Sequence, residues 1–208
     1  LTQAQRQDVE KLFGIKNNFF VIPHSYKKQN LISNFKDRDL TRAIILARYH
    51  KVKQIDHAIK AFDEVRKELP FVKLEIYGRG NEEQNLFELI EKLNLQNNVF
   101  LMGHIKDPEA VYESSAFSII TSYSEGFGLT IMESLANGCP VISYDIKYGP
   151  RDLIRDGYNG FLIQRNDITS LTMKMKEMFI KGKNLEQMSL NARQSVIEYN
   201  DSNFLKNW

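Results

Sequence analysis

Two glutamates frame a glycine-rich stretch in the middle of the chain, which reads S-Y-S-E-G-F-G-L-T-I-M-E. Glu125 directly precedes the two glycines, Gly126 and Gly128, and Glu133 follows them. Glycine lets the backbone turn tightly and lets a ligand approach without a side-chain clash. The plain alternative is a solvated loop before an ordinary amphipathic helix, but a carboxylate beside two loop glycines is a poor structural choice. The stretch is therefore a candidate ligand site.

The elements on either side of the glycines indicate what this site would hold. Residues 116–120 form an apolar run that predicts a buried strand, and residues 128–137 predict a helix. The first turn of a helix has unpaired N–H groups and a partial positive charge, which together attract anions. The predicted anion-binding residues are Gly128, Leu129 and Thr130.

The two carboxylates are expected on opposite sides of a bound anion. Glu133 lies about one helical turn beyond Leu129 and Thr130 and on the same face. A phosphate at the helix start would bring an attached ribose near Glu133, with Glu125 on the far side. This layout suits a nucleoside diphosphate with a sugar at each end.

The composition limits the class of protein. With 208 residues, of which 42% are apolar and 26% charged, the chain has the profile of one globular domain or slightly more. Its net charge of +2 gives no reason to expect nucleic acid as a partner. No apolar run reaches the roughly 18 residues of a transmembrane segment. The polar N-terminus is unlike a signal peptide and lacks methionine, so we expect a piece of a longer protein.

The cysteine content favours a particular compartment. Cys139 is the single cysteine, which excludes an internal disulfide and fits a reducing environment. We therefore expect a cytoplasmic location, or the inner face of the membrane for the full-length protein.

Short apolar runs alternate with helical patterns along the chain. The predicted strands are 19–22, 43–47, 72–77, 99–102, 117–121, 140–144 and 160–163. The predicted helices are 1–14, 82–94, 128–137, 168–181 and 185–199, one with its apolar stripe over 55–65, and short ones near 108 and 151–155. This alternation predicts an α/β fold with a Rossmann-like parallel sheet of about six strands and helices on both faces.

Ligands of such sheets bind beyond the carboxyl ends of the strands, so the loops after the strands carry further candidates. Arg48 and Lys53, five positions apart, follow strand 43–47. They can converge on a diphosphate, the arginine as a fork and the lysine as a point charge. The alternative is a pair of ordinary surface charges.

Two other motifs point away from cofactor chemistry. Gly78-Arg79-Gly80 is no dinucleotide-binding motif, because Glu83 replaces the third glycine and no acidic residue ends the following strand. Asp37-Arg38-Asp39 matches a metal-binding D-x-D triplet, but no apolar strand precedes it, so we predict a solvated charge cluster. The four histidines lack ligand spacing. We expect neither a metal nor a cofactor.

In combination these segments resemble the retaining GT-B glycosyltransferases of family 4, over about residues 19–200. The central match is S-x-S-E-G-F-G-L-x-x-x-E-x-L-A-x-G-x-P-V-I. Arg48 and Lys53 match G-R-L-x-x-x-K-G, with Ala47 and Gln54 in place of its glycines. V-I-P-H-S resembles the V-I-P-N-G that opens the second domain of these enzymes. Y-D-I-K-Y-G-P resembles the sequence found in the subgroup of these enzymes that adds glucose or N-acetylglucosamine to wall teichoic acids or serine-rich adhesins.

The resemblance implies a role for each candidate. Arg48 and Lys53 would neutralise the diphosphate, Glu125 would hold donor-sugar hydroxyls, and Glu133 would accept both ribose hydroxyls. The remaining implied contacts are the backbone of Gly126, Phe127 and Gly128 to the sugar, Gly78 and Gly80 closing over the nucleotide, and backbone groups near His104 and Ile105 reading the base. No metal is implied.

The resemblance also implies a domain organisation. Residues 1–18 would form a hinge helix from a missing N-terminal domain, 19–184 the donor-binding domain, and 185–208 a crossover helix region. The donor would be UDP-glucose or UDP-N-acetylglucosamine. The acceptor (a polymer, protein or lipid-linked glycan) would bind the absent domain, so we expect little activity from this piece alone. Two alternatives stay open: a non-catalytic nucleotide-sugar module or partner subunit, and an unrelated α/β protein.

Overall fold

The computed structural model describes residues 2–14, 24–26, 34–180 and 182–199. The strands in these residues are β1 Asp39–Leu46, β2 Lys73–Tyr77, β3 Val99–Gly103, β4 Ser115–Ile120, β5 Val141–Asp145 and β6 Gly160–Gln164. The α-helices are α1 Gln3–Phe13, α2 Ile55–Glu68, α3 Glu83–Lys92, α4 Glu109–Ser114, α5 Leu129–Ala136, α6 Pro150–Leu153, α7 Ile168–Ile180 and α8 Gly182–Ser195. Within the described residues, every strand predicted after residue 40 is present.

The six described strands form one parallel sheet in the order β3-β2-β1-β4-β5-β6. Ala43 of β1 pairs with Leu74 on one side and with Phe117 on the other. From β1 the chain first adds β2 and β3 on one side of the sheet and then β4, β5 and β6 on the other. Doubly wound nucleotide-binding sheets have the same switch point, and their ligands bind there. The predicted Rossmann-like parallel sheet is therefore confirmed.

Helices cover both faces of the sheet, as predicted. The strands are apolar on both sides, and β4 is buried along its whole length, which is typical of a parallel sheet between two helical layers. Side chains of α2, α3 and α7 form the main core, in which Phe117 of β4 packs edge-on against Phe179. On the opposite face, α5, α6 and α8 form a second cluster that includes Leu135 and Ala192.

The charge cluster at 37–39 is only partly solvated, and the prediction for Arg38 is wrong. Arg38 is 6% exposed. Its guanidinium donates to the carbonyl oxygens of Tyr112 at 2.8 Å, Ser115 at 2.8 Å and Asn137 at 2.6 Å. Arg38 thus joins the residue before β1 to the start of β4 and the end of α5. The strand β1 begins directly after this anchor, at Asp39, four residues before its apolar run, and Asp39 pairs with Ser115 of β4.

The described N-terminal helix contacts the sheet domain at a loop after β5. Thr2 caps α1 by accepting from the N–H of Gln5, and Gly14 ends the helix in a left-handed conformation. The carboxylate of Asp8 accepts from Lys147 at 2.9 Å and from the hydroxyl of Tyr148. The predicted strand 19–22 and residues 200–208 lie outside the described residues. None of the helices in the described residues is long and apolar enough to cross a membrane.

Candidate functional site

A cavity of about 420 Å³ opens at the carboxyl edge of the sheet, beside the junction of β1 and β4. Loops after β1, β2 and β3 form its walls together with the first turn and second turn of α5. Six predicted site residues line it: Arg48, Gly78, His104, Ile105, Thr130 and Glu133. The topology therefore brings together residues that are spread over 86 positions of the sequence (48 to 133, counted inclusively).

The start of α5 has the geometry of an anion site. Gly128 takes the N-cap position with a φ of 87° and gives no side-chain cap. Its carbonyl accepts from the N–H groups of Ile131 at 2.9 Å and Met132 at 3.1 Å. The N–H groups of Leu129 and Thr130 have no acceptor among the described residues. They are available to an anion at the mouth of the cavity.

The carboxylate of Glu133 lines the cavity without a hydrogen-bond donor among the described residues. Burial raises the pKa of Glu133, and the nearby charge of Glu109 raises the pKa further. A half-buried carboxylate without a donor is unfavourable in the ligand-free protein. Hydroxyl groups of a ligand would supply the missing donors.

Lys53 and Glu125 form a separate part of the site. The ammonium of Lys53 lies 2.6 Å from Oε1 of Glu125, and the hydroxyl of Ser122 donates to the same oxygen at 2.6 Å. Lys53 does not line the cavity that Arg48 lines. The sequence assigned Lys53 to the diphosphate and Glu125 to the sugar, whereas in the described residues these side chains contact each other. Both assigned roles stay predictions.

Gly78 and Gly80 have a packing role that the sequence did not reveal. A Cβ on Gly78 would lie 1.9 Å from the carbonyl oxygen of Ala47, and one on Gly80 would lie 2.1 Å from that of Tyr49. The N–H of Tyr49 donates to the carbonyl of Arg79 at 3.0 Å. Only glycine allows this close approach of the two loops. Closure of the Gly78–Gly80 loop over a nucleotide stays a prediction.

The glycine loop before α5 combines an exposed backbone at Gly126 with a buried side chain at Phe127. Gly126 is exposed, and nothing lies within 4 Å of a Cβ built on it. The Phe127 side chain is 7% exposed, with edge-on contacts to His24 at 5.4 Å and Tyr199 at 5.9 Å. The predicted backbone contacts of Gly126 and Phe127 with a sugar fit this geometry. Leu129 is 45% exposed on the adjoining turn.

The structure explains the departure at Gln54 from the family pattern. Gln54 adopts a left-handed conformation, with φ 45° and ψ 42°, which is the conformation that a glycine at this position favours. Its side-chain amide donates to Oδ1 of Asn166 at 3.1 Å, in the loop after β6. This hydrogen bond helps to offset the cost of the strained backbone.

The predicted site residues leave out Arg79, Ser122 and Thr121, among others. Arg79 lines the cavity beside Arg48. Ser122 contacts Glu125, and the hydroxyl of Thr121 donates to the carbonyl of Lys53 at 2.9 Å. The position of Arg79 between two candidate glycines was an available signal. Ser122 lies three positions before Glu125, within the motif, but its residue type alone did not indicate the contact. Nothing in the spacing indicated the contact of Thr121 with Lys53, because the two residues follow different strands.

The described residues contain no group of three histidine, cysteine or acidic side chains placed to hold a metal ion. The Asp-Arg-Asp triplet at 37–39, which was predicted to be a solvated charge cluster, provides the structural anchor Arg38. Metal independence remains a prediction for this site.

The strand order and the cavity at the β1–β4 junction define a Rossmann-like α/β domain of the doubly wound class. The chain belongs to the glycosyl transferases group 1 family, whose model matches residues 27–195. The resemblance found in the sequence is thereby confirmed at the level of the family.

The relatives that align with the whole chain include two named glycosyltransferases. It is 35% identical to a poly(glycerol-phosphate) alpha-glucosyltransferase of Bacillus subtilis (strain 168), covering 31% of that protein. It is 33% identical to a poly(ribitol-phosphate) alpha-N-acetylglucosaminyltransferase of Staphylococcus aureus (strain COL), covering 42% of it. The chain thus spans about a third to two fifths of the length of these glycosyltransferases.

Solved structures share the fold over the whole chain. A TarM mutant of S. aureus, in complex with fondaparinux, alpha-GlcNAc-glycerol and UDP, matches with a TM-score of 0.94 at 32% identity, and 42% of it is covered. The pneumococcal O-GlcNAc transferase GtfA, in complex with UDP and GlcNAc, matches with a TM-score of 0.86 at 27% identity, again with 42% covered. The chain corresponds to the C-terminal half of such GT-B enzymes, as predicted.

Proposed function

We propose that this chain is the donor-binding half of a retaining glycosyltransferase that uses UDP-glucose or UDP-N-acetylglucosamine. The observation that carries the proposal is the meeting of Arg48, Thr130 and Glu133 in one cavity at the start of α5. Relatives named for the transfer of glucose or N-acetylglucosamine, and structures that contain UDP, support this class of donor.

In this proposal the diphosphate binds at the first turn of α5. The free N–H groups of Leu129 and Thr130 donate to its oxygens, and Arg48 neutralises its charge from the opposite wall. The N–H groups at the start of α5 are fixed in place, so they stabilise the negative charge that develops on the leaving group without reorganisation. Lys53 moves from Glu125 to the diphosphate when the donor binds. These groups take the part that a metal ion plays in other sugar-nucleotide enzymes.

The two carboxylates hold the two sugars of the donor. Glu133 accepts hydrogen bonds from the ribose hydroxyls, which supply the donors that its carboxylate otherwise lacks. Glu125 accepts from hydroxyls of the transferred sugar, and the exposed backbone of Gly126 lets that sugar approach closely. Backbone groups near His104 and Ile105 face the base at the far end of the cavity.

The transfer step needs no nucleophile from this chain. The bond between the anomeric carbon and the phosphate oxygen breaks, and its electron pair leaves with UDP. The acceptor oxygen forms the new bond on the same face of the sugar, and its proton passes to a phosphate oxygen of the leaving UDP. Retention of configuration follows from this same-face attack.

The proposal leaves the acceptor to a second domain. Residues 1–18 and 185–208 are assigned to the hinge region, and 19–184 to the donor domain, as the resemblance implies. The names of the B. subtilis and S. aureus relatives contain poly(glycerol-phosphate) and poly(ribitol-phosphate), so polyol-phosphate polymers are the acceptors we propose to test first. The cytoplasm, which supplies UDP-sugars and a reducing environment, is the proposed location.

The central test measures donor binding to this 208-residue chain. We expect UDP-glucose or UDP-N-acetylglucosamine to bind in calorimetry and to raise the melting temperature, since a ligand at 100 times its dissociation constant adds about 2.7 kcal/mol. GDP- and ADP-sugars should bind more weakly. Glu133→Ala should cost roughly 1.5–3 kcal/mol of binding free energy. Glu91→Ala, on the exposed surface of α3, is the matched control.

Two outcomes would count against the proposal. Equal affinities of wild type and Glu133→Ala would remove Glu133 from the site. Binding of UDP-sugars without any transfer by the full-length protein would favour the non-catalytic nucleotide-sugar module. We expect the 208-residue chain alone to transfer little or no sugar, and full activity of this chain would contradict the assignment of the acceptor to another domain.

A further inference from the structure

A buried serine hydroxyl contacts one oxygen of a candidate sugar-binding carboxylate. Ser122 is 2% exposed and lies two residues beyond the end of β4. Its Oγ donates to Oε1 of Glu125 at 2.6 Å. A carboxylate can only accept, so the serine is the donor in this contact. The hydrogen bond is charge-assisted and therefore among the stronger kinds.

The two contacts of Glu125 leave its second oxygen available. Lys53 and Ser122 both contact Oε1, each at 2.6 Å, while Oε2 has no partner among the described residues. The carboxylate is consequently held through one oxygen and can offer the other to a ligand. Its side chain is 13% exposed, so few other orientations are open to it.

The backbone around this contact is itself fixed. The hydroxyl of Thr121, 3% exposed, donates to the carbonyl of Lys53 at 2.9 Å. The N–H of Tyr123 donates to the carbonyl of Val52 at 2.7 Å. Ser122 therefore sits between two hydrogen bonds that join the loop after β4 to the loop after β1. A hydroxyl on such a braced backbone can orient a neighbouring side chain.

We propose that Ser122 is a positioning residue, which keeps Glu125 oriented toward the transferred sugar after Lys53 has moved to the diphosphate. This inference rests on the proposed function. The charge of a diphosphate attracts Lys53 away from Oε1, and the Ser122 hydroxyl is then the remaining described contact of that oxygen. Ser122 thus contributes to the recognition of the sugar and not of the nucleotide.

The test compares binding of UDP with binding of the UDP-sugar that the wild-type chain binds more tightly. In calorimetry, Ser122→Ala should weaken UDP-sugar binding about tenfold, equivalent to about 1.4 kcal/mol, and should leave UDP binding unchanged within about twofold. Ser122→Thr, which keeps the hydroxyl, should restore part of the loss. Ser124→Ala, an exposed serine of the same loop, is the matched control and should change neither affinity.

A ligand-free measurement accompanies the binding test. Urea unfolding of Ser122→Ala, Glu125→Ala and the double variant should reveal a coupling that changes the folding equilibrium constant at least about fivefold. Additive effects in this cycle would overturn the positioning role even if no nucleotide bound.

The remaining outcomes separate this inference from the proposed function. Equal losses of UDP and UDP-sugar affinity in Ser122→Ala would indicate general damage and overturn it, and so would unchanged affinity for both. Absence of any UDP or UDP-sugar binding by the folded wild-type chain would refute the proposed function and with it the sugar-directed role, while the unfolding cycle would still report whether Ser122 holds Glu125.

Discussion

The ammonium nitrogen of Lys53 lies 2.6 Å from Oε1 of Glu125, although 72 positions separate the two residues in the chain. The pair forms because β1 and β4 are neighbours in the sheet, so that the loops after them meet at one edge. Side-chain exposures of 23% for Lys53 and 13% for Glu125 make this contact less solvated than an ordinary surface ion pair. It also means that each charge of the pair is neutralised before a ligand arrives.

The first prediction concerns the stability of the ligand-free protein. Lys53→Met should lower the free energy of unfolding by about 1–2 kcal/mol, because it leaves a partly buried carboxylate with one donor. Adding Glu125→Gln should recover part of this loss, since the uncompensated charge is then gone. Urea unfolding of the two single variants and the double variant measures the coupling. Strictly additive effects would mean that the pair contributes nothing.

The second prediction concerns the cation in the cavity wall. Arg48→Ala should weaken UDP binding about thirtyfold, the equivalent of about 2 kcal/mol for lost charge-assisted hydrogen bonds. Uridine, which lacks the diphosphate, should bind both proteins equally. The control is Arg165→Ala, which removes another exposed cation, stacked over Tyr123 at 4.5 Å. A similar loss in this control would show that net charge, rather than the position of Arg48, determines the affinity.

The third prediction is a pH dependence set by Glu133. Its pKa is raised by burial and by the charge of Glu109, and the ribose contact requires the ionised form. UDP affinity should therefore reach its maximum above the raised pKa. As the pH drops, the affinity should begin to fall at a higher pH than it would for a glutamate of ordinary pKa. Glu109→Gln removes the neighbouring negative charge and should move the fall in UDP affinity to lower pH. Calorimetric titrations over a pH series measure the shift.

The same carboxylate should have opposite effects on folding and on binding. A raised carboxyl pKa means that the folded state favours the protonated form, so ionisation of Glu133 at neutral pH opposes folding. Glu133→Gln should consequently raise the melting temperature of the ligand-free chain while weakening UDP binding. A fall in melting temperature would contradict this assignment.

The fourth prediction separates two kinds of glycine. Gly80→Ala should destabilise the fold by about 2 kcal/mol or more, because its Cβ would meet the carbonyl oxygen of Tyr49 at 2.1 Å. Gly126→Ala has open space around its Cβ and should change stability by no more than about 0.5 kcal/mol. It should nevertheless weaken UDP-sugar binding, since the added methyl group occupies the proposed path of the sugar. Thermal melts and calorimetry of both variants distinguish the two roles.

The fifth prediction concerns Arg38, the buried arginine directly before β1. Arg38→Met should destabilise the fold by about 3 kcal/mol, since it leaves the carbonyl groups of Tyr112, Ser115 and Asn137 without their donor. Lys36→Met, on the exposed turn just before, is the control and should stay within about 0.5 kcal/mol of wild type. Urea unfolding gives both values, and equal losses would refute the anchoring role.

The sequence predicted the sheet well because its strands carry their own signal. Each is a short apolar run between helices, and burial on both faces produces such a run directly, as in the fully buried β4. The helix after the glycine loop was equally visible, since its start at Gly128 and its end near Asn137 are local features. The cavity residues Arg48, Thr130 and Glu133 were predictable as a set for another reason: each lies in a loop or helix that follows a recognisable strand, and the carboxyl ends of parallel strands meet at one edge of the sheet.

Long-range polar contacts were not predictable in the same way. A buried arginine within an Asp-Arg-Asp triplet has the same letters as a solvated one, and its three carbonyl partners lie 74 to 99 positions away. The pairing of Lys53 with Glu125 depends on which strands are neighbours, and periodicity does not determine strand order. The left-handed backbone of Gln54 was hidden for another reason: a glutamine does not signal this conformation, and its hydrogen-bond partner Asn166 lies in a distant loop.

The adjacency of β1 and β4 at the centre of the sheet also has a kinetic consequence. Arg48 and Lys53 follow one strand, while Glu125 and Glu133 follow the other, so neither the β1–β3 unit nor the β4–β6 unit can assemble the pocket by itself. Nucleotide capture should therefore appear only late in refolding, after the two units have docked. Local opening between β1 and β4 should abolish nucleotide binding altogether, because it separates both halves of the pocket at once. A bound nucleotide should therefore slow amide exchange along β1 and β4 more than at the outer strands β3 and β6.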